Sequence, residues 1–248
     1  MKNEQTSSQS GAVRSPRPDW RAEGAKAAGE ADESASTSSQ KVRFDVVLAS
    51  GSPRRKELLE EAGIAFVVRP SEIEEKLDPE LASDPPTACQ KLAERKAGAV
   101  VQEILGESYE GVAMVIGADT MVVCDNEIFG KPRNLDDGKR MLRRLSGRTH
   151  QVMTGVSVWV ISAPEVSRVS VGYRDFVDTT NVTFRDLSDE EIADYLRKGE
   201  SFDKAGAYAI QGAGADLVAG IDGSMDTVIG LPVERLLEEF PELRAHRR

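Results

Sequence analysis

Apolar positions recur in regular patterns only from about residue 41 onward. The run Val46-Val47-Leu48-Ala49 reads as a short buried strand. It leads into Ser-Gly-Ser-Pro, where Ser52 suits a helix N-cap and Pro53 the first helical position, and Gly63 suits the C-terminal cap. Phe66-Val67-Val68 is a second strand, followed by the acidic stretch Ser71-Glu72-Ile73-Glu74-Glu75. Apolar spacing predicts a long helix over 86–105. A buried strand over 112–116 continues through Gly117-Ala118-Asp119-Thr120 into Met121-Val122-Val123. Asn134 caps a helix that runs through Leu145 and ends at Gly147. A strand follows over 152–161, then a polar stretch, then an alternating strand over 179–184. Ser188 caps a helix ending near Gly199, and after a glycine-rich segment a strand is expected near 227–229, with a helix after Pro232. Strands and helices alternate, which predicts an α/β class with a mixed sheet. No internal repeat is evident.

Residues 1–40 break this pattern. They are rich in Ser, Ala, Gly and charge, with Trp20 the one aromatic. Such a composition buries too little apolar surface to order itself and predicts a disordered tail. Its acidic residues, Glu4, Asp19, Glu23, Glu30, Asp32 and Glu33, argue against a transit peptide, and no signal-type apolar core is present. The expected organisation is therefore a tail over 1–40 and one globular unit over 41–248. With 248 residues and a 40% hydrophobic fraction, the chain can build a substantial core. Its formal charge of −10 disfavours nucleic-acid polymers as partners. No apolar run approaches a membrane span. Cys89 and Cys124 form neither a disulfide framework nor a metal-type spacing, which fits a reducing compartment and a cytoplasmic location.

Several residues do not suit a plain core. Arg54 and Arg55 open a helix, already the positive end of its dipole, so an anion is expected there. With Ser50, Ser52 and the backbone amides they form a candidate phosphate site. Asp119 ends an apolar strand, where a carboxylate costs desolvation unless it is paired or binds a metal. It reads either as a turn cap or as a metal ligand or general base. Lys96 lies on the stripe of Leu92, Val100 and Ile104; most such lysines snorkel to water, while a minority enter an anion site. Lys131 sits in a Gly-Lys-Pro loop, a weak signal by itself. Glu72, Glu74 and Glu75 read as a solvated face or, beside Asp119, as part of a Mg²⁺ site. Gln211 reads as a turn residue or as an amide able to pair with a base edge. Together these residues describe a phosphoanhydride hydrolase acting on a nucleotide.

The stretches LASGSPRRKELLEEAG, SEIEE, LAERKA, IGADTMVVCDNEIFGKP, MLRRLSGRTHQVMTGV, LSDEEI, DKAGAYAIQG and VIGLPVERL, in this order over 46–237, resemble the Maf family of nucleotide pyrophosphatases. The resemblance implies an α/β fold related to inosine triphosphatases, with a central mixed sheet and a cleft between two lobes. It implies cleavage of a nucleoside triphosphate between the α- and β-phosphates, with Mg²⁺ or Mn²⁺ as cofactor. Residue by residue, it implies Asp119 as proton acceptor, Lys96 and Lys131 as catalytic lysines, and Arg54, Thr120 and Gln211 as specificity positions. Glu74 or Glu75 would join Asp119 at the metal. A homodimer is also expected. The tract DKAGAYAIQG, with Gly130-Lys131-Pro132, resembles the subgroup acting on dTTP, UTP and modified pyrimidine nucleotides in a housecleaning role. The alternatives are 7-methyl-GTP or inosine and xanthosine triphosphates as substrates, or a regulatory nucleotide-binding protein of cell division with little turnover. Phe129 and Ala209 depart mildly from the family pattern.

Overall fold

The structure is a computed structural model that describes residues 44–74, 76–77 and 80–246. The expected tail and Glu75 lie outside the described residues. One contact-defined unit spans Arg43–Arg248.

Strand β1 (Asp45–Leu48) runs into helix α1 (Pro53–Glu61), which returns to the short β2 (Val67–Val68). Helix α2 (Pro85–Gly106) then crosses to β3 (Gly111–Cys124), and a hairpin adds β4 (Glu127–Phe129). Next come α3 (Leu135–Leu145), the two long strands β5 (Thr149–Glu165) and β6 (Arg168–Phe184), and α4 (Asp189–Arg197). The chain closes with β7 (Val218–Asp222), α5 (Met225–Ile229) and α6 (Val233–Glu239). The sheet order is β2-β1-β3-β5-β6-β7, with β4 also on β3. The β1 pairings with β2 and β3 are parallel and all the others antiparallel, so the sheet is mixed, as the alternation of elements predicts.

Most predicted elements stand close to their expected places, with local caps as the reason. The Asn134 side chain accepts from Asp137 N, and Ser188 with Glu191 forms a reciprocal capping box. Three readings are corrected. The polar stretch before residue 179 is not a connection but most of β6, paired with β5 from Glu165↔Arg168 onward. Arg168, Ser170 and Tyr173 are exposed there, whereas Arg174, Asp175 and Asp178 are half-buried and bonded to Glu239, Ser157 and Thr227, and the ladder holds the backbone. The segment near 227–229 is not a strand: its β-branched run forms α5, closed where the N–H groups of Gly230 and Leu231 both reach the Asp226 carbonyl at 2.8 and 2.9 Å. The final strand is instead β7, on the outer edge of β6. The β3–β4 hairpin, absent from the sequence reading, turns at Asp125 and Asn126, with φ of 52° and 61°. Asp and Asn tolerate that left-handed region better than most residues.

What positions the site is the close seating of α2 on the sheet. A Cβ at Gly117 would lie 2.6 Å from the Ala93 carbonyl oxygen, and one at Gly155 2.6 Å from that of Cys89. Only glycine at these two sheet positions lets the α2 backbone approach so closely. One core cluster gathers Leu142, Phe184, Leu196 and Tyr208 beneath α3 and α4. A second gathers Leu48, Leu59, Ile116 and Leu236 beneath α1 and α6. Strand β3 contributes to both.

Candidate active site

Midway along β3, Asp119 is buried, and the Lys96 ammonium donates to its Oδ1 at 2.6 Å. Lys96 and Asp119 are 8% and 7% exposed, so this is an interior ion pair. The stripe position of Lys96 on α2 thus turns it inward. The α2 seating also explains a residue the sequence reading passed over. Cys89 Sγ accepts from Gly155 N at 3.0 Å and lies 3.2 Å from the Asp119 carbonyl, tying the helix to the backbone that carries the carboxylate. Burial, then the negative charge of Asp119, pushes the Cys89 thiol up to about 12, so it stays protonated and serves as a donor.

Beside Asp119, the turn from β1 into α1 supplies a second group of polar atoms. Arg55 is buried, and all three of its guanidinium nitrogens donate: Nε to the Gly230 carbonyl at 2.8 Å, one terminal nitrogen to Ser50 Oγ at 3.0 Å and the other to Thr120 Oγ1 at 3.1 Å. The expectation that both arginines simply face an anion is therefore divided between them. Arg55 organises the walls, whereas Arg54, one residue earlier, is half-buried. Burial raises the pKa of the Tyr195 phenol, and the positive charge of Arg54 opposes that rise. Asp203 is held below the ordinary carboxylate range: burial opposes this, and its hydrogen bond to Lys204 with the nearby cations outweighs burial.

Ser50 Oγ also accepts from Ser52 N at 3.3 Å, so the oxygen is occupied as an acceptor and its hydroxyl proton points elsewhere. Ser52 stands at the N-cap of α1 without a side-chain cap bond, and the first turn of the helix carries no acidic residue. The helix entrance is thus a site of positive potential lined by hydroxyls and amides.

Three other predicted residues lie further out. Lys131 is exposed in the loop after β4, where Gly206 N bonds the Gly130 carbonyl at 3.1 Å and fastens that loop to the 205–207 turn. Gln211 is exposed just after the buried Tyr208–Ile210 stretch. Glu74 is exposed; its carboxylate pairs with Lys76 at 2.8 Å and its carbonyl accepts from Arg95 at 3.4 Å. Glu75 lies outside the described residues. Among the described residues there is no group of three or more His, Cys, Asp or Glu that could hold a metal ion. Also among them, no helix is long and apolar enough to cross a membrane.

The sequence reading missed Thr154 and Thr227: the Thr154 hydroxyl meets that of Thr120 and donates to the Thr227 carbonyl, extending the Arg55–Thr120 group inward. A signal for Thr154 was present: like Asp119, it is a polar residue inside an apolar strand, Val152-Met153-Thr154-Gly155-Val156. Thr227 gave none, because its β-branched neighbours suggested a strand.

The geometry sets a buried carboxylate–ammonium pair beside an arginine-organised strand-to-helix turn in a mixed-sheet α/β protein, an arrangement that suits an anionic ligand. Comparison with known proteins narrows this. The Maf-like protein family matches residues 45–243, and the chain belongs to that family. A dTTP/UTP pyrophosphatase of Bacillus velezensis is 46% identical over 197 residues, covering 79% of this chain and 95% of that protein. One of Citrifermentans bemidjiense is 46% identical over 188 residues, covering 76% and 90%. A solved nucleoside-triphosphatase / dITP/XTP pyrophosphatase from Mycobacterium abscessus aligns over 80% of this chain and 94% of its own. Its TM-score is 0.35, at 12% identity.

Proposed function

We propose that this protein hydrolyses dTTP and UTP, adding water across the α,β-phosphoanhydride bond to release the nucleoside monophosphate and pyrophosphate. The observation that carries the reading is the interior Lys96–Asp119 pair, one residue from Thr120 and its Arg55–Ser50 network, in a chain similar to proteins named for that activity. In this reading Asp119 takes a proton from the attacking water. Lys96 holds the carboxylate in place. Arg54, the α1 amides and the Ser50 and Ser52 hydroxyls hold the phosphates, and Lys131 adds positive charge from the β4 loop. Thr120 and Gln211 meet the nucleoside.

The donor set also suits a hard divalent cation. Mg²⁺ commonly needs only one or two protein carboxylates when substrate phosphates complete its shell. Asp119, held by Lys96, would be one ligand of Mg²⁺ or Mn²⁺, with Glu74 or Glu75 as a second. Bound there, the ion would offset phosphate charge as the bond breaks. A cytoplasmic housecleaning role and a homodimer complete the proposal; free Cys89 and Cys124 support the first, and the family resemblance supports both.

The test is pyrophosphate release from dTTP, UTP, CTP, 7-methyl-GTP and ITP with Mg²⁺ or Mn²⁺. Release from dTTP and UTP that is abolished by EDTA and by Asp119→Asn is the expected result. Release only from 7-methyl-GTP or ITP would overturn the specificity, and binding without release would point to a regulatory protein.

A further inference from the structure

The Thr120 hydroxyl faces the site with its proton already committed. Thr154 stands directly opposite it on β5 and is fully buried. Thr154 Oγ1 lies 2.7 Å from the Thr227 carbonyl oxygen, and because a carbonyl has no proton to give, Thr154 must be the donor. A hydroxyl has one proton. In the 2.9 Å contact between the Thr120 and Thr154 hydroxyls, the proton therefore comes from Thr120. On its other side Thr120 accepts from Arg55 at 3.1 Å. One lone pair and no proton remain on Thr120, the part-exposed member of the three threonines.

The far end of this relay is anchored as well. The Thr227 hydroxyl donates to Asp178, whose other oxygen accepts from Arg235 at 3.0 Å. Thr180 Oγ1 donates to the Ser224 carbonyl at 2.9 Å, fixing the start of α5. The acceptor that captures the Thr154 proton is thus held at both ends of a short helix.

We infer that Thr154 is a positioning residue that locks the Thr120 hydroxyl as a hydrogen-bond acceptor, so that this point of the site selects a ligand group bearing N–H or O–H over an acceptor-only group. A phosphate oxygen is thereby the wrong partner for Thr120. The inference rests on the proposed pyrimidine-nucleotide reading, in which two groups supply such a donor: the imide N–H of a uracil or thymine ring, or a sugar hydroxyl. Cytosine presents a bare ring nitrogen where uracil has its imide N–H, and a 3′-O-methyl sugar presents an acceptor where the hydroxyl stood.

The experiment compares kcat/KM for UTP, CTP and 3′-O-methyl-UTP in the unaltered protein, Thr154→Val and Thr154→Ser. Valine keeps the volume and removes the acceptor of the Thr120 proton, so that hydroxyl becomes free to turn and donate. The UTP:CTP preference should then fall about tenfold, chiefly through KM, because about one hydrogen bond separates the two. Thr154→Ser should keep the original preference. A fall in the UTP:3′-O-methyl-UTP preference alone would support the lock and identify the sugar hydroxyl as the donor. Unmoved preferences in a folded Thr154→Val protein would overturn it; should valine prevent folding, Thr154→Ala removes the same hydroxyl and gives the same reading. Dissociation constants of the three nucleotides, measured by calorimetry in parallel, separate the two proposals. A protein without turnover whose binding preference still shifts keeps the lock and loses the proposed function. An active protein with fixed preferences does the reverse.

Discussion

Removing either partner of the Lys96–Asp119 pair separates its structural from its chemical role. The two groups meet at 2.6 Å, with only 10% of each side chain exposed. Taking the Lys96 charge away leaves the buried Asp119 carboxylate without its ion-pair partner in a low-dielectric interior, a loss of roughly 3–5 kcal/mol. Lys96→Met should lower the urea-unfolding free energy by about that amount. The double variant removes both charges, so it should recover most of the loss, because a buried ion pair replaced by neutral groups of similar volume is close to neutral. Activity should behave differently. Asp119→Asn removes the proton acceptor and should cost roughly 10²–10⁴ in kcat, and the double variant should recover none of it. The assays are equilibrium unfolding and pyrophosphate release on the same four proteins. A double variant no more stable than Lys96→Met would refute the pairing argument. Stable Asp119→Asn protein with normal kcat would remove Asp119 from the chemistry.

Other predictions address the frame and its acid sensitivity. Gly155→Ala places a methyl 2.6 Å from the Cys89 carbonyl oxygen and should destabilise by roughly 2–3 kcal/mol, read as a lower Tm, since backbone rather than a flexible side chain must shift. Arg55→Lys replaces a planar fork that serves Gly230, Ser50 and Thr120 with a point charge that cannot span all three. KM for dTTP should rise about tenfold or more, whereas an unchanged KM would show that the three contacts are not needed for binding. His150 is buried between Phe184 and Tyr208, and burial lowers its pKa from 6.5 to about 4. Below pH 6.5 the unfolded chain takes up a proton that the folded protein refuses, so stability falls as pH drops from about 6.5 toward 4. The loss from this residue between pH 7.5 and pH 5 should be about 2 kcal/mol in urea unfolding, and a His150→Phe variant should lack that slope.

Much of the site was legible in the sequence because its residues violate local expectation. A carboxylate at the end of an apolar strand and a lysine on an apolar helical stripe are costly unless they meet, and Asp119 and Lys96 do meet. Local chemistry likewise determined the helix starts at Asn134 and Ser188, whose side chains cap the amides a few positions on, and after Ser52, where Pro53 takes the first helical position. The division of labour between Arg54 and Arg55 was not legible. Adjacent helical residues point about 100° apart, and which of them turns inward depends on Gly230, 175 residues further along the chain. The same holds for Thr227-Val228-Ile229, whose β-branched run suits a strand until β7 occupies the sheet edge and leaves that segment to turn as α5. The sequence by itself determined the strand and helix alternation, the caps and the charged residues that could not remain unpaired, since each follows from short-range periodicity or from desolvation cost. Only the tertiary structure decided that Thr120 meets Thr154 and that Arg55 closes on Gly230. Those partners are brought together by the β3–β5 register and by the seating of α2 on Gly117 and Gly155, contacts between distant segments that no local pattern encodes.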